Sequence, residues 1–119
     1  MLRSINETTF TSKPIAVLED GLYFRGICAA NAKFIFLTGG VYDGAAVDKC
    51  HLYDIKKDKW LEIQPMHQAR WKHSSCQLSG FIYVFCGIDG ANEFNSVEKL
   101  AIKANSDQQT FKKWHMIAP

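Results

Sequence analysis

The stretch FIFLTGGVYDG (Phe34–Gly44) decides the fold, because a similar stretch, FIYVFCGIDG (Phe81–Gly90), recurs 47 residues later. The same shift places CHLYDI (Cys50–Ile55) on VEKLAI. Further on the shift grows to 54, where WLEIQP (Trp60–Pro65) meets WHMIAP. The residues that account for the difference, ANSDQQT (Ala104–Thr110), are polar and predict a lengthened loop. The sequence therefore contains an internal repeat, which is the signature of a repeat architecture.

Each repeat contains four short segments rich in aromatic and β-branched residues, separated by clusters of Gly, Asn or Asp. No apolar pattern with a helical period extends over ten or more residues. Connections of roughly 2–8 residues imply antiparallel meanders, and four strands per repeat predict a propeller blade. The predicted strands are Tyr23–Asn31, Phe34–Thr38, Lys49–Ile55 and Lys59–Ile63 in the first repeat, then His73–Leu78, Phe81–Cys86, Val97–Ile102 and Phe111–Ile117 in the second.

The first repeat resembles a kelch repeat. It combines the apolar strand FIFL with the diglycine Gly39-Gly40, then Tyr53, then Trp60 seven positions after the tyrosine, and finally QPM and Arg70. This order and spacing is fairly specific to that family, and the resemblance covers about residues 25–119.

The second repeat resembles the same pattern less closely. Cys86 replaces the first glycine and Leu100 replaces the tyrosine, while the tryptophan is kept. At the arginine position, the first repeat has Tyr23 where the second has Arg70. The resemblance implies that the tyrosine and tryptophan pack near the diglycine, so the blade-building residues are expected to be Gly39, Gly40, Tyr53, Trp60, Gly87 and Trp114.

The predicted fold is all-β, with two four-stranded antiparallel blades of a kelch-type β-propeller. Residues 1–21 are expected to form a leader that adds one strand of a neighbouring blade through Ile15–Leu18; residues 22–66 form the first blade and residues 67–119 the second. Propellers typically close with about 4–8 blades, so two blades make a partial propeller with apolar faces. Three completions stay open: further blades in a longer chain, self-assembly such as three chains supplying six blades, or another polypeptide.

The loops after the second and fourth strands of a blade lie on one face, together with the interblade connections. These segments are Val41–Asp48, Ile88–Ser96, Glu19–Arg25 and Pro65–Lys72. Their aromatic, arginine and carboxamide side chains suit a protein or peptide partner, because Tyr, Trp and Arg dominate binding hot spots. In families that resemble this chain, ligands commonly dock on that face. The expected partner-binding residues are Tyr42, Asp43, Arg70, Trp71, Lys72, Asn92, Glu93 and Phe94.

Structural roles for some of these residues stay open beside the binding role. Asp43 and Gly44 are ordinary turn formers. In repeats of this kind Arg70 would brace neighbouring blades, and Trp71 would pack between them.

Charge and targeting signals narrow the class of partner. The formal net charge of +2 is too small to indicate nucleic acid or an anionic membrane. The N-terminal residues lack the apolar region of a secretory signal, and the longest apolar run is far too short to span a bilayer. The four cysteines show no C-x-x-C spacing and lie in predicted strands, so we expect reduced thiols and a cytosolic location.

No pattern of catalytic residues is present. The chain has no G-x-S-x-G, H-E-x-x-H or phosphate-binding glycine loop. His73 and Cys76 are three residues apart, which puts them on opposite sides of a strand. The spacing of His67 and His73 fits no standard zinc pattern. We therefore expect neither catalysis nor a cofactor nor a metal.

The sequence thus predicts a non-catalytic interaction module or scaffold, with a protein or peptide partner and with further kelch blades in the same chain or in other copies. Two alternatives stay open. Blades of a galactose-oxidase-like metalloenzyme would bind a metal, whereas the substrate-recognition part of a ubiquitin-ligase adaptor would bind a protein substrate.

Overall fold

The structure is a computed structural model, which describes residues 21–102 and 113–117 in full and the backbone of residues 3–6 and 11–14. The predicted strand Ile15–Leu18 and the predicted loop Ala104–Thr110 lie outside these ranges. The described part consists of strands, turns and irregular segments. It holds no helix with the length and apolarity needed to cross a membrane. The predicted all-β class is confirmed.

Two four-stranded antiparallel sheets form the blades. In chain order the strands are β1 (Arg3–Asn6), β2 (Thr11–Pro14), β3 (Gly26–Ala30), β4 (Phe34–Thr38), β5 (Val41–Tyr42), β6 (Ala45–Ala46), β7 (Cys50–Asp54), β8 (Lys59–Ile63), β9 (Ser74–Leu78), β10 (Phe81–Phe85), β11 (Val97–Ala101) and β12 (His115–Ile117). The first blade has the order β3-β4-β7-β8 and the second β9-β10-β11-β12, as the meander prediction requires. In addition β1 pairs with β2, and β5 pairs with β6, which the sequence pattern did not indicate.

The innermost hairpins of the two blades differ by one residue. In the first blade Ala30 pairs with Phe34 across a three-residue turn, whereas in the second Leu78 pairs with Phe81 across a two-residue turn. Both residues of the shorter turn have positive φ, which is the geometry that two-residue hairpins favour. The innermost strands and the segments before them therefore correspond with a shift of 48 and not 47 residues, so that Tyr23 corresponds to Trp71.

Each blade has two faces because successive side chains of a strand point to opposite sides. We call the front face the one that carries Leu37 and His51 in the first blade, and Val84 and Glu98 in the second. The opposite side is the back face. The back face of the first blade packs against the front face of the second, and this joint buries Cys28, Ala30, Phe34, Phe36, Cys50, Leu52, Ile82, Val84 and Leu100. Full burial of one such large apolar side chain is worth about 1.5–3 kcal/mol, so the joint holds the two blades together.

The diglycine allows the interblade connections to approach the first blade. Gly39 and Gly40 both have positive φ, and a Cβ there would lie 2.4 Å from the Arg70 carbonyl oxygen and 2.8 Å from that of Tyr23, respectively. The backbone N–H of Gly40 donates to the Arg70 carbonyl at 2.9 Å. Cys86 takes the place of the first glycine in the second blade and keeps the left-handed φ of 64°.

The resemblance implied that the tyrosine and tryptophan of the first blade pack near the diglycine. In the structure they lie at the other end of the blade. Tyr53 pairs with Ile35, which lies near the start of β4, whereas the diglycine follows its end. The rings of Tyr53 and Trp60 lie 5.0 Å apart, and the tyrosine hydroxyl donates to Asp58 in the turn between β7 and β8. Both residues therefore belong to the blade, but they fix its opposite end.

Trp114 is the counterpart of Trp60 in the second blade and is far more buried. Trp114 has almost no exposed surface, and its indole Nε1–H donates to the Gln64 carbonyl at 2.9 Å. Trp60 is only partly buried. The difference follows from position, because the front face of the second blade is covered by the interblade connection.

Candidate partner-binding rim

Arg70 lies fully buried beneath the loops that the sequence predicted as the binding face. Its Nη1 donates to the carbonyl oxygens of Cys86 and Ser96, at 2.9 and 3.0 Å. Its Nη2 donates to the Ser96 hydroxyl at 3.1 Å and to Glu98 Oε2 at 3.0 Å. Neither Arg70 nor Glu98 has exposed side-chain surface, so each compensates the charge of the other. The prediction that Arg70 contacts a partner is wrong for this reason, and the bracing role is the one observed.

Glu98 also fixes the connection between the blades. Its carboxylate accepts the backbone N–H groups of His67, at 2.6 Å, and Gln68, at 3.0 Å. The His67 ring lies 2.7 Å from the Trp114 carbonyl oxygen. One buried carboxylate thus joins β11, the arginine and the connection in a single network.

Arg25 makes the equivalent contacts in the first blade. Its Nε donates to the Gly39 carbonyl at 2.8 Å and its Nη2 to the Lys49 carbonyl at 2.9 Å. These two carbonyls correspond, with a shift of 47, to the two that Arg70 binds. The sequence comparison placed Tyr23 at the arginine position of the first repeat; the guanidinium instead comes from Arg25, two residues later.

His51 stands in the first blade where Glu98 stands in the second. The Nδ1 atom of His51 lies 2.9 Å from Nη1 of Arg25. A guanidinium can only donate hydrogen bonds, so the Nδ1 atom is the acceptor in this contact. The anchoring chemistry of the two blades therefore differs at one position, although the arginine contacts match.

The loops of this face are tied together by backbone pairing. Tyr23 exchanges two N–H···O bonds with Val41, at 3.1 and 2.9 Å, and Trp71 pairs in the same way with Ile88. Between β5 and β6 the chain reverses at Asp43 and Gly44, both with positive φ. Each interblade connection thus forms a short bridge with the loop after the second strand of a blade.

A cluster of exposed aromatic side chains lies on these loops. The exposed fractions are 68% for Tyr23, 60% for Phe24 and 57% for Tyr42. The rings of Phe24 and Trp71 lie 5.4 Å apart, and the Lys72 ammonium lies 5.5 and 5.1 Å from their respective centroids. Such distances allow cation–π attraction. We call Tyr23, Phe24, Tyr42, Trp71 and Lys72 the aromatic rim patch.

Tyr23 and Phe24 were not among the partner-binding residues predicted from the sequence. With the shift of 48, they correspond to Trp71 and Lys72, and both Phe24 and Lys72 have φ of 53°. A comparison with that shift would have found an aromatic residue in the same place in both repeats. The shift of 47 hid the match, because it ignored the extra residue of the first hairpin.

The predicted residues Asn92 and Glu93 of the second loop are held by contacts around Asp89 and Ile88. The Asp89 carboxylate accepts the N–H groups of Asn92, at 2.7 Å, and Ala91, at 3.0 Å, which holds the pKa of Asp89 below its usual range. Asn92 therefore shapes its own loop. Glu93 is exposed and bridges to Ile88 through the backbone.

The predicted set thus divides into three groups. Tyr42, Trp71 and Lys72 belong to the aromatic rim patch, and Asp43 lies at the adjacent turn. Asn92 and Glu93 lie on the second loop. Phe94 is partly buried, and its ring centroid lies 5.9 Å from the guanidinium carbon of the fully buried Arg70.

A cavity of about 540 Å³ opens beside the aromatic rim patch, on the front of the first blade. It is lined by Leu22, Tyr42, Val47, Lys49 and His51. Its walls are mostly apolar, with two nitrogen-bearing side chains.

His73 supports the rim from the interior. Its Nε2 lies 2.8 Å from the Thr38 hydroxyl, which links the second blade to the first. Burial, together with the positive charges of Arg70 and Arg25, lowers the pKa of His73 to about 4. The ring is therefore neutral at pH 7.

The described residues offer no group of three His, Cys, Asp or Glu side chains placed to hold a metal ion. All four cysteines are free thiols. Burial raises the pKa of Cys50 to about 12 and also raises that of Cys28, so neither thiol forms the reactive thiolate near neutral pH.

Comparison with known proteins finds kelch proteins among the relatives of this chain. Kelch-like protein 22 from Xenopus tropicalis is 36% identical over 78 residues, which are 63% of this chain and 12% of that protein. Kelch-like protein 13 from Mus musculus is 30% identical over 102 residues, 82% of this chain and 15% of that protein. Kelch repeat protein M-T9 from Myxoma virus (strain Lausanne) is 31% identical over 101 residues, 82% of this chain and 19% of that protein. No protein-family model matches the chain. The chain spans less than a fifth of the length of these three relatives.

Proposed function

Because the chain belongs to the kelch-repeat family, we propose that it is a protein-interaction module that binds a protein or peptide partner through the aromatic rim patch. The observation that carries this proposal is the exposure of three aromatic side chains, Tyr23, Phe24 and Tyr42, on loops of one face. Aromatic side chains dominate binding hot spots, because they bury a large area at a small cost in conformational entropy.

The framework under the patch supports the same proposal. Arg70 and Arg25 bind carbonyl groups at the base of the two loops, and Tyr23 and Trp71 are paired through their backbones. Loops that are ordered before binding lose less entropy when a partner docks. The Lys72 ammonium beside two rings adds a positive charge, which favours an aromatic or acidic group in the partner.

The proposal contains no catalytic step, and it uses no metal or cofactor. The partner is a protein or a peptide, and not nucleic acid or a membrane. Free, largely unreactive thiols at Cys28 and Cys50 are compatible with the reducing cytosol, where we propose that the chain acts.

Quantitative affinity capture from cell extract, with the chain as bait, tests the binding surface. The informative variant is Phe24→Ala/Tyr42→Ala, which removes two exposed rings of the patch. Ile55→Ala is the matched control, because Ile55 is 42% exposed in the turn between β7 and β8, at the other end of the blade. Thermal melting of each variant establishes that the fold is retained.

We expect the rim variant to capture at least ten-fold less partner than the unaltered chain. This corresponds to a loss of binding free energy of about 1.4 kcal/mol or more, because hot-spot truncations typically cost about 2 kcal/mol. The control should capture the same proteins as the unaltered chain. If the rim variant captured the same partners at the same level, another surface would carry the binding. If the control lost them, the effect would come from the fold and not from the patch.

A further inference from the structure

We propose that the chain assembles head to tail with further copies of itself, through the back face of its second blade and the front face of the first blade of the next copy. This proposal does not use the aromatic rim patch. It follows from a comparison of the two open faces with their counterparts, which meet at the joint inside the chain.

The open front face of the first blade repeats the apolar pattern of the buried front face of the second. Ile35 and Leu37 correspond to Ile82 and Val84, with a shift of 47. The latter two are fully buried at the internal joint, whereas Ile35 and Leu37 remain partly exposed. Ile27, on the same open face, is 56% exposed. The first blade therefore presents a face of the kind that the second blade buries.

The open back face of the second blade repeats the back face of the first. Phe34 and Phe36 are buried at the internal joint, and their counterparts Phe81 and Tyr83 are only partly buried. On the innermost strand, Leu78 is 62% exposed, although its counterpart in the first blade, Ala30, is buried. The back faces of both blades thus carry aromatic rings in the same places.

A second copy of the chain is the occupant that supplies both missing surfaces at once. The internal joint shows that a back face of this chain fits a front face of this chain. Soluble proteins rarely leave large apolar patches uncovered. A front-to-back contact uses two different surfaces, so it adds copies in one direction until the ring closes. With about 4–8 blades in a typical propeller, the ring contains two to four copies.

The contact between copies is expected to be weaker than the internal joint. At the internal joint, Glu98 accepts two N–H groups of the connecting segment, and the connection is covalent. On the open front face His51 stands at that position, and a histidine ring has no carboxylate with which to accept two N–H groups at once. Assembly should therefore depend on concentration in the range that sedimentation measures.

Two substitutions test the two open faces independently and leave the residues of the internal joint unchanged. Ile27→Glu places a charge on the open front face, and Leu78→Glu places one on the open back face; both parent side chains are largely exposed in a single copy. Ile55→Glu, in the turn between β7 and β8, is the matched control. Circular dichroism and thermal melting verify that each variant folds, and sedimentation equilibrium gives the mass.

The unaltered chain and the control should reach two to four times the mass of 13.5 kDa as concentration rises. Each face variant alone should stay at the mass of one copy. Mixed in equal amounts, the two variants should form a two-copy species and nothing larger, because together they offer one intact front face and one intact back face.

Several outcomes would overturn the proposal. An unaltered chain that keeps the mass of one copy at every concentration would show that other blades cover these faces. Assembly by either folded face variant alone would show that the contact lies elsewhere or joins like faces. Two folded, monomeric variants that fail to pair when mixed would exclude the head-to-tail arrangement.

Discussion

Replacing Arg70 by methionine should destabilise the chain more than any surface substitution. The variant removes the partner of Glu98, which has no exposed surface, and leaves that carboxylate with only the two N–H groups of the interblade connection. Removal of one partner from a buried ion pair costs about 3–5 kcal/mol. The Cys86 carbonyl loses this donor as well, and the Ser96 carbonyl keeps the backbone N–H of Cys86. We therefore expect a loss of about 4 kcal/mol, a large part of the roughly 5–15 kcal/mol that stabilises a typical domain.

Urea unfolding followed by tryptophan fluorescence, at one protein concentration, measures this loss. Arg25→Met is the matched control, because Arg25 binds the corresponding carbonyls of the first blade but is partly exposed and lies beside a histidine instead of a buried carboxylate. Its removal should cost about 1–2 kcal/mol, the range for hydrogen bonds that water can partly replace. A loss below 1 kcal/mol for Arg70→Met, or a larger loss for Arg25→Met, would refute the reasoning.

A double-mutant cycle with Glu98→Gln isolates the charge pair. Combined with Arg70→Met, it should cost less than the sum of the two single changes, because the buried charge left by the first change is removed by the second. We expect a coupling energy of about 1–3 kcal/mol. Strictly additive losses would show that the two side chains do not depend on each other.

Two further predictions concern buried rings. The pKa of His73 is lowered to about 4, against about 6.5 in an unfolded chain, so between these pH values the unfolded state binds a proton that the folded state does not. The free energy of unfolding should therefore decrease from pH 7 to pH 4 by up to roughly 3 kcal/mol more in the unaltered chain than in His73→Gln; parallel pH profiles would contradict this. Trp114→Ala should cost about 3–5 kcal/mol, and Trp60→Ala about 2–3 kcal/mol because its ring is only partly buried; urea midpoints in the reverse order would contradict the assignment of the two positions.

Features that depend on local pattern were predictable from the sequence. The strands follow from alternating apolar residues and from turn residues at their ends, so β4 and β8 have the predicted bounds, and the other blade strands differ by a few residues. The side of each loop followed from the meander alone. The short hairpin of β5 and β6 was not predicted, because strands of two residues carry no periodicity.

Features that depend on how far a side chain reaches were not predictable. Arg70 lies in a loop between aromatic and polar neighbours, and its full burial depends on Glu98, which is 28 residues away. Arg25 replaces the missing arginine of the first repeat from a different position, because a long flexible side chain can reach the same carbonyls from either side. A comparison of residues by their position in the repeat cannot detect such a replacement.

The two arginines have a consequence for anyone who averages the repeats to design new blades. Position-by-position averaging with the shift of 47 would register Tyr23 as a defect and would place an arginine there, on an exposed bridge two residues before Arg25. The new guanidinium would compete for carbonyl groups that are already bound, and it would bring a second positive charge to the same place. In this chain the hydrogen bonds from an arginine to two backbone carbonyls recur in both blades, whereas the sequence position of the arginine does not. A consensus based on these contacts would preserve the bonds, and a consensus based on aligned residues would not.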